Sequence, residues 1–408
     1  MSKKILQINV TRNADSTGKI AVNIGAKAEE QGWECFIASG RGKFSNNSHH
    51  YIIQNEIRRY INALDCRIED NDGFCRFSKA KELNQFIDKI NPDVVHIHNA
   101  HGYYLNIEKL LPHLEEKKIP VVWTMHDCWN MTGHCPHFDY VRCDKWKNQC
   151  EHCPQKKVYP NSLVFDRSFH NFEQKKHFIG SLSNVTFIAP CTWLANFAKE
   201  SFLGTKSIKV INNGILTNIF KNTPNEELRN SLGLKDKFVI LGVASGWSKT
   251  KGILDFIKLS KILPSDCVVL LVGSKRGAKY NFPNNIIDIK QTESLYQLVE
   301  IYSLADVFVN PTTRDTFPTV NIEALACGVP VVTYNTGGSP ESVGFDGKYG
   351  IVTDEKTPEA LLKAIITIKK KGKVYYSDNC REHVIEKYDS NDKYQEYVDL
   401  YDDLISLK

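Results

Sequence analysis

The stretch Asp306-Val-Phe-Val-Asn-Pro311 leads, four residues on, into Asp315-Thr-Phe-Pro-Thr-Val-Asn-Ile-Glu323-Ala-Leu-Ala-Cys-Gly328-Val-Pro330-Val-Val. The apolar run of the first segment reads as a buried parallel strand. A helix is expected to start near Pro318 or Thr319, both good helix-start residues, and to stop at Gly328. A second strand follows. Free N–H groups and the dipole at such a helix start form an anion site, for which a diphosphate is the natural guest. Glu323 lies a little over one turn into the helix, where its carboxylate could accept hydrogen bonds from a ribose diol. Asp315, in the loop before the helix, could hold sugar hydroxyls. The plainer reading is an ordinary strand–loop–helix unit with two surface acids, and the spacing alone leaves both readings open.

Outward from this unit, apolar strands alternate with helical patterns through two halves of the chain. In the first half, strands are expected at Lys4–Val10, Cys35–Ala38, Asp93–His98, Pro120–Thr124, Val185–Ala189 and Ile208–Asn212. Helices are expected at Gly18–Gly32, Ala80–Ile90 and Ile107–Glu116. In the second half, strands at Phe238–Ala244, Val268–Val272, Ile286–Ile289, Val307–Asn310 and Val329–Thr333 alternate with helices near Ile253–Ile262, Leu295–Leu304 and Val320–Cys327. Repeated βα units imply an α/β fold of parallel sheets covered by helices. Two such halves imply two Rossmann-like domains with a cleft between them, and ligands in such sheets sit beyond the carboxyl ends of the strands. The boundary is expected after Asn213-Gly214. No Gly-x-Gly-x-x-Gly or Walker A motif appears, which argues against dinucleotide oxidoreductases and P-loop enzymes.

At 408 residues the chain can hold two full cores. A formal charge of +5 suits anionic donors or lipid headgroups and does not argue for nucleic acid. No apolar run reaches the roughly 18 residues of a membrane span. The N-terminus enters a strand directly, with no signal-peptide core, so a cytoplasmic location is expected. Twelve cysteines are many for a reducing compartment, where clustered thiols point to metal rather than disulfides.

The paired acids and the tail Glu323-Ala-Leu-Ala-Cys-Gly-Val-Pro-Val-Val resemble the motif of family 4 retaining glycosyltransferases of the GT-B fold, and further matches run across nearly the whole chain. The resemblance implies that the final amphipathic helix, Asp392–Ser406, crosses back to the first domain. The expected domains are then 1–213 with 388–408 on the acceptor side, and 214–387 on the nucleotide-sugar side. It assigns Glu323, Asp315, Thr316, Phe317 and Thr319 to the donor, with Asp315 standing where that family usually has Glu. In Gly246-Trp-Ser-Lys249-Thr-Lys251-Gly252, Lys251 matches a pyrophosphate-binding Lys. The partner Arg is missing, with Ser245 and Gly246 near its place, and Lys249 is the candidate substitute. The alternative for both lysines is a solvated turn.

The same resemblance places Gly18, in Thr17-Gly18-Lys19, against the donor phosphate or the acceptor; the alternative is a plain helix-entry glycine. Ser274-Lys275 and Gln291–Leu295 would border the base. His126 would hydrogen-bond the donor sugar near the reacting carbon. His98, at the tip of the preceding strand, and Asp127 are acceptor-side candidates; His96 and His101 are not distinguished from structural histidines. Asp127 is also the best candidate for a nucleophile if transfer ran by double displacement. The resemblance favours front-face attack instead, with Lys251, Asp315 and His126 at the chemistry. It implies a hexosyltransferase needing no divalent metal for catalysis, in line with reading the chain as lacking an Asp-x-Asp motif.

Residues 128–153 form a cysteine-rich insertion carrying Cys128, Cys135, Cys143, Cys150 and Cys153, with His134, His137 and His152 interleaved. Cys150-x-x-Cys153 is half of a zinc-knuckle spacing, and Cys135 with Cys143 could complete a four-thiolate structural zinc site. An iron–sulfur cluster and unliganded cysteines are the alternatives. Beyond it, Phe165, Phe169 and Phe172 are expected on one helical face with Lys175 and Lys176 beside them, as core or as a surface touching a membrane.

The expected activity is transfer of a sugar from a nucleoside-diphosphate sugar to a saccharide acceptor, lipid-linked in one variant, in capsular or exopolysaccharide synthesis. A lipid-linked acceptor would add peripheral contact at the inner face of the membrane. The competing readings are a GT-B nucleotide-sugar epimerase and a catalytically silent, metal-stapled sugar-nucleotide-binding protein.

Overall fold

The computed structural model describes residues 2–42, 49–274 and 280–406. The chain divides into two compact units, Met1–Asn212 with Lys393–Lys408, and Asn213–Asp392. Each is built on one parallel sheet.

The first sheet holds β1 (Lys3–Thr11), β2 (Trp33–Arg41), β3 (His50–Ile52), β4 (Val94–Ile97), β5 (Val121–Thr124), β6 (Val185–Ala189) and β7 (Ser207–Val210). Their order is β3-β2-β1-β4-β5-β6-β7, every neighbouring pair parallel. β4 and β5 are buried along their whole length, which is why they read as unbroken apolar runs rather than alternating ones. The helix Ser16–Glu30 opens on Asp15, whose carboxylate accepts the Gly18 amide, and lays Ile20, Ile24 and Ala28 on the sheet at a four-residue spacing. The final helix, Ser390–Ser406, buries Tyr394, Tyr397, Val398 and Tyr401 in one cluster with Ile5, Ile24, Trp33, Val94, Val122 and Ile188. At roughly 1.5–3 kcal/mol for each fully buried large apolar side chain, this face ties the C-terminus to the first unit's core.

The second sheet holds β8 (Phe238–Val243), β9 (Cys267–Val272), β10 (Ile286–Ile289), β11 (Val307–Asn310), β12 (Val331–Tyr334) and β13 (Gly350–Thr353), in the order β10-β9-β8-β11-β12-β13, again all parallel. In both sheets the strand order reverses once, at β1/β4 and at β8/β11. The crevice beyond the carboxyl ends of strands at such a reversal is where doubly wound sheets bind ligands.

Two expectations from the sequence change. The phenylalanines of 165–178 do not share a buried face: the helix is Ser168–Gly180, Phe172 is core, and Phe165 and Phe169 are about half exposed. Lys175 is not a surface residue either. It is fully buried, its Nζ bound to the carbonyls of Trp129 (2.7 Å) and Thr132 (2.9 Å). The helix Glu56–Glu69 was not among the expected elements; its apolar stripe has helical spacing but faces outward. Asn62 and Asp65 face inward while Ile57, Tyr60, Ile61, Leu64 and Ile68 face solvent. Lys275 lies outside the described residues.

Candidate active site

In the second unit the reversal point is built by two loops stitched together. After β8, the turn Lys249–Lys251 is capped by Ser248, whose hydroxyl accepts the Lys251 amide. The Thr250 carbonyl accepts both the Thr313 amide (2.9 Å) and the Thr312 hydroxyl (3.1 Å) from the loop after β11. Gly252, at φ +77°, lies so close to Pro311 that a Cβ would stand 2.4 Å from the Pro311 carbonyl oxygen. This contact brings Lys251 Nζ to 2.6 Å from Asp315 Oδ2, with the lysine half exposed and the aspartate less so. Asp315 Oδ1 accepts the Thr316 amide. From the other side, Gly337 (φ +56°) presses on the Asp315 carbonyl, and the Gly338 amide donates to the Thr316 carbonyl at 2.7 Å.

The helix Thr319–Ala326 starts on Pro318, which gives its first turn no side-chain cap. A buried chain of amides fixes its rotation: Asn310 Nδ2 donates to Asn321 Oδ1, and Asn321 Nδ2 to Ser342 Oγ. Glu323 is partly buried, and its Oε2 accepts the hydroxyl of Tyr302 at 2.7 Å. Burial pushes the Tyr302 phenol well above its ordinary range, and the Glu323 charge adds to it, so the phenol stays a donor to the carboxylate. Phe317 is buried against Tyr388, and Thr319 is the first helical residue. Lys249 is exposed on its turn. Lys251, Asp315, Thr316, Thr319 and Glu323 are thus on one strand–loop–helix unit and the turn packed against it.

In the first unit the corresponding reversal point carries the histidines. Gln7 Nε2 donates to the Ala21 carbonyl (2.7 Å), so its Oε1 faces His98 Nε2 at 2.9 Å. His98 Nε2 therefore carries the proton, and His98 Nδ1 accepts from His126 Nε2 at 3.2 Å. That leaves His126 Nδ1 with a lone pair. Burial pushes the His126 imidazolium down to about 4, so the ring is neutral near pH 7. His96 is held apart from this chain by Tyr401 (2.6 Å) and Thr124 (2.8 Å).

His98 and Asp127, read from the sequence as acceptor-side candidates, are engaged in the fold. Both ring nitrogens of His98 are taken, by His126 and Gln7. Asp127 accepts from His101 Nε2 at 2.9 Å and from the Trp129 amide at 2.9 Å. Burial opposes ionisation of Asp127, but the His101 charge and hydrogen bond outweigh it and hold the carboxyl down to about 2. Through these contacts Asp127 braces the loop after β5. Gly18 is buried and spends its amide on Asp15 (2.8 Å); a Cβ there would stand 2.8 Å from Thr11 Oγ1, so its smallness serves the helix–loop contact.

The chain does contain an Asp-x-Asp spacing, at Asp70-Asn71-Asp72, contrary to the sequence reading. Both carboxylates are used internally. Asp70 pairs with His134 and accepts the Arg167 amide, and Asp72 accepts the amides of Gly102 and Tyr103. Tyr302, Gln7 and His101 were missed as functional supports. They lie far in sequence from the residues they hold, and no local pattern marks them.

Two family models cover the chain between them: "Glycosyltransferase Family 4" over residues 18–218 and "Glycosyl transferases group 1" over residues 224–387. WcaC of Escherichia coli (strain K12), a glycosyl transferase named for colanic acid biosynthesis, is 25% identical over 372 residues, covering 86% of this chain and 88% of that one. CapM of Staphylococcus aureus, a capsular polysaccharide biosynthesis glycosyltransferase, is 29% identical over 223 residues, 51% of this chain and 57% of that one. Among solved structures, sucrose-phosphate synthase from Thermosynechococcus elongatus superposes with a TM-score of 0.73 at 16% identity, covering 100% of both chains. HepE of Anabaena, in complex with UDP, gives 0.67 at 16% identity, covering 98% of this chain and 100% of that one. The fold is that of a GT-B glycosyltransferase. The chain belongs to glycosyltransferase family 4.

Proposed function

We propose that this enzyme is a retaining hexosyltransferase of polysaccharide biosynthesis that takes its sugar from a nucleoside-diphosphate sugar. The observation that carries the reading is the second-unit site: a Lys251–Asp315 pair at the sheet reversal, beside an uncapped helix start, with Glu323 held by Tyr302 one turn further on. The diphosphate takes Lys251 and the first-turn amides, Glu323 takes the ribose diol, and Asp315 takes sugar hydroxyls. On the first unit, His126 offers a neutral ring with an accepting Nδ1. HepE, of the same fold, is described with UDP and with UDP-glucose, which makes uridine the first base to try.

In the front-face course the bond from the anomeric carbon to the diphosphate oxygen breaks. The acceptor hydroxyl forms the new bond on the same face, and its proton passes to the departing diphosphate. The protein's part is positioning and charge stabilisation by Lys251 and the helix amides, with no divalent metal in the step. Asp127, occupied by His101 and Trp129, supports this course over double displacement.

A lipid-linked acceptor fits a second feature. Ile57, Tyr60, Ile61, Leu64 and Ile68 form an exposed apolar stripe on the helix Glu56–Glu69. Leu163, Val164 and Phe165, also exposed, join its C-terminal end through Leu163 N–H to Arg67 O and Phe165 N–H to Ile68 O. Such a patch with arginines beside it suits peripheral contact with a membrane carrying the acceptor. No helix among the described residues is long and apolar enough to cross a membrane.

The test is a thermal-shift panel of UDP-, GDP- and ADP-sugars, followed by NMR of the product anomer. A donor at about a hundred times its dissociation constant adds roughly 2.7 kcal/mol of stability. An inverted product defeats the retaining assignment, and turnover of donor to an epimer without acceptor favours an epimerase.

A further inference from the structure

Residues 128–160 follow the loop after β5 with little regular structure, only the short turns Trp129–Met131, Asp139–Val141 and Lys145–Lys147. A segment this long without helix or strand needs another source of order. Cys135, Cys143, Cys150 and Cys153 all line one cavity of about 10 Å³, close to the room that one water takes, walled by Phe138, Trp146 and Pro154. Two of the sulfurs already accept backbone amides, Cys150 from Gly133 and Cys153 from Gln155, and Cys135 shares a hydrogen bond with Cys153. Lys175 stands beside them, fully buried, its Nζ held by the Trp129 and Thr132 carbonyls. None of the cysteines is in a disulfide.

We propose that Cys135, Cys143, Cys150 and Cys153 bind one structural zinc ion. No three of the four sulfurs lie within 4.8 Å of one another, so binding requires them to close on the ion. Among the described residues, the group whose ligand atoms all lie within 4.8 Å of one another is instead Cys66, Asp72 and Cys75. That group is not a competing site, since Asp72 spends its oxygens on the Gly102 and Tyr103 amides. Tetrahedral all-thiolate sets select zinc or iron. The zinc site is closed and acts on the reaction only through position: it pins the segment carrying Trp129 and Thr132, to which Lys175 is tied, and the Trp129 amide holds Asp127.

The test is elemental analysis of the purified full chain after exhaustive dialysis, with thiol counting before and after a strong chelator. The expected result is one zinc per chain, a colourless protein, and four thiols newly reactive, with loss of zinc, once the chelator is added. Exchange for Co²⁺ is expected to give the absorption of a tetrahedral tetrathiolate complex, and Cys143→Ser is expected to weaken zinc retention at least tenfold. If that variant does not fold, the chelation and cobalt readouts on the unmodified chain decide. Folded, reduced protein with less than a tenth of an equivalent of zinc overturns the proposal. So does bound iron with visible absorbance, a Cys135–Cys153 disulfide, or zinc that leaves without exposing those thiols.

Discussion

Tyr302→Phe removes one hydroxyl from a fully buried ring and leaves the ring's packing against Phe220 and Phe308 in place. The hydroxyl donates to Glu323 Oε2 at 2.7 Å. Without it, Glu323 loses one bond that holds its rotamer, and a ligand must supply that part of the ordering. Immobilising one such side chain costs about 0.5–1.5 kcal/mol. With 1.4 kcal/mol per tenfold, affinity for the nucleoside diphosphate should fall roughly two- to twelvefold. Stability should fall by only about 1 kcal/mol, the net worth of one hydrogen bond. The assay is calorimetric titration with UDP, or whichever diphosphate leads the donor panel, beside inorganic pyrophosphate. Pyrophosphate has no ribose, so its affinity should not change. Equal weakening of both ligands, or of neither, would refute the placement of Glu323 on the ribose.

Glu323→Ala should lower activity roughly tenfold or more, about 1.4 kcal/mol of transition-state binding, and a variant with unchanged turnover would remove Glu323 from the site. Lys251→Met should weaken UDP and pyrophosphate alike, by roughly 1.5–3 kcal/mol of charge-assisted hydrogen bonding, while its melting temperature moves little because the ion pair is half exposed. Gly252→Ala should reduce donor affinity without touching any charge, since the added methyl meets the Pro311 carbonyl at 2.4 Å and the φ of +77° is unfavourable to it; wild-type affinity would show that the two loops move independently. For His126 the folded value is depressed to about 4 while the unfolded ring titrates near 6.5. The unfolded chain therefore binds the proton first, and stability falls as pH drops from 6.5 toward 4, by about 1.6 kcal/mol between 6.5 and 5. In chemical denaturation at several pH values, His126→Asn should flatten that part of the slope, and an unchanged slope would contradict the burial.

Periodicity and composition were enough for the α/β class, the two repeated halves and most strands. Runs such as Val121–Thr124 and Val307–Asn310 are apolar at every position because parallel strands are covered on both faces. The paired acids of the second unit were legible for a related reason: Asp315 and Glu323 sit close in sequence on one local strand–loop–helix unit, so their spacing already encodes their geometry. What only the tertiary structure decided is which groups hold them. Tyr302 under Glu323, Gln7 behind His98 and His101 behind Asp127 are contacts between elements 21, 91 and 26 residues apart. The Glu56–Glu69 helix shows the same limit from the other side. A stripe of five apolar residues fixes a helix face, but whether that face meets a core or solvent depends on what the rest of the fold leaves uncovered, and no window of sequence contains that information.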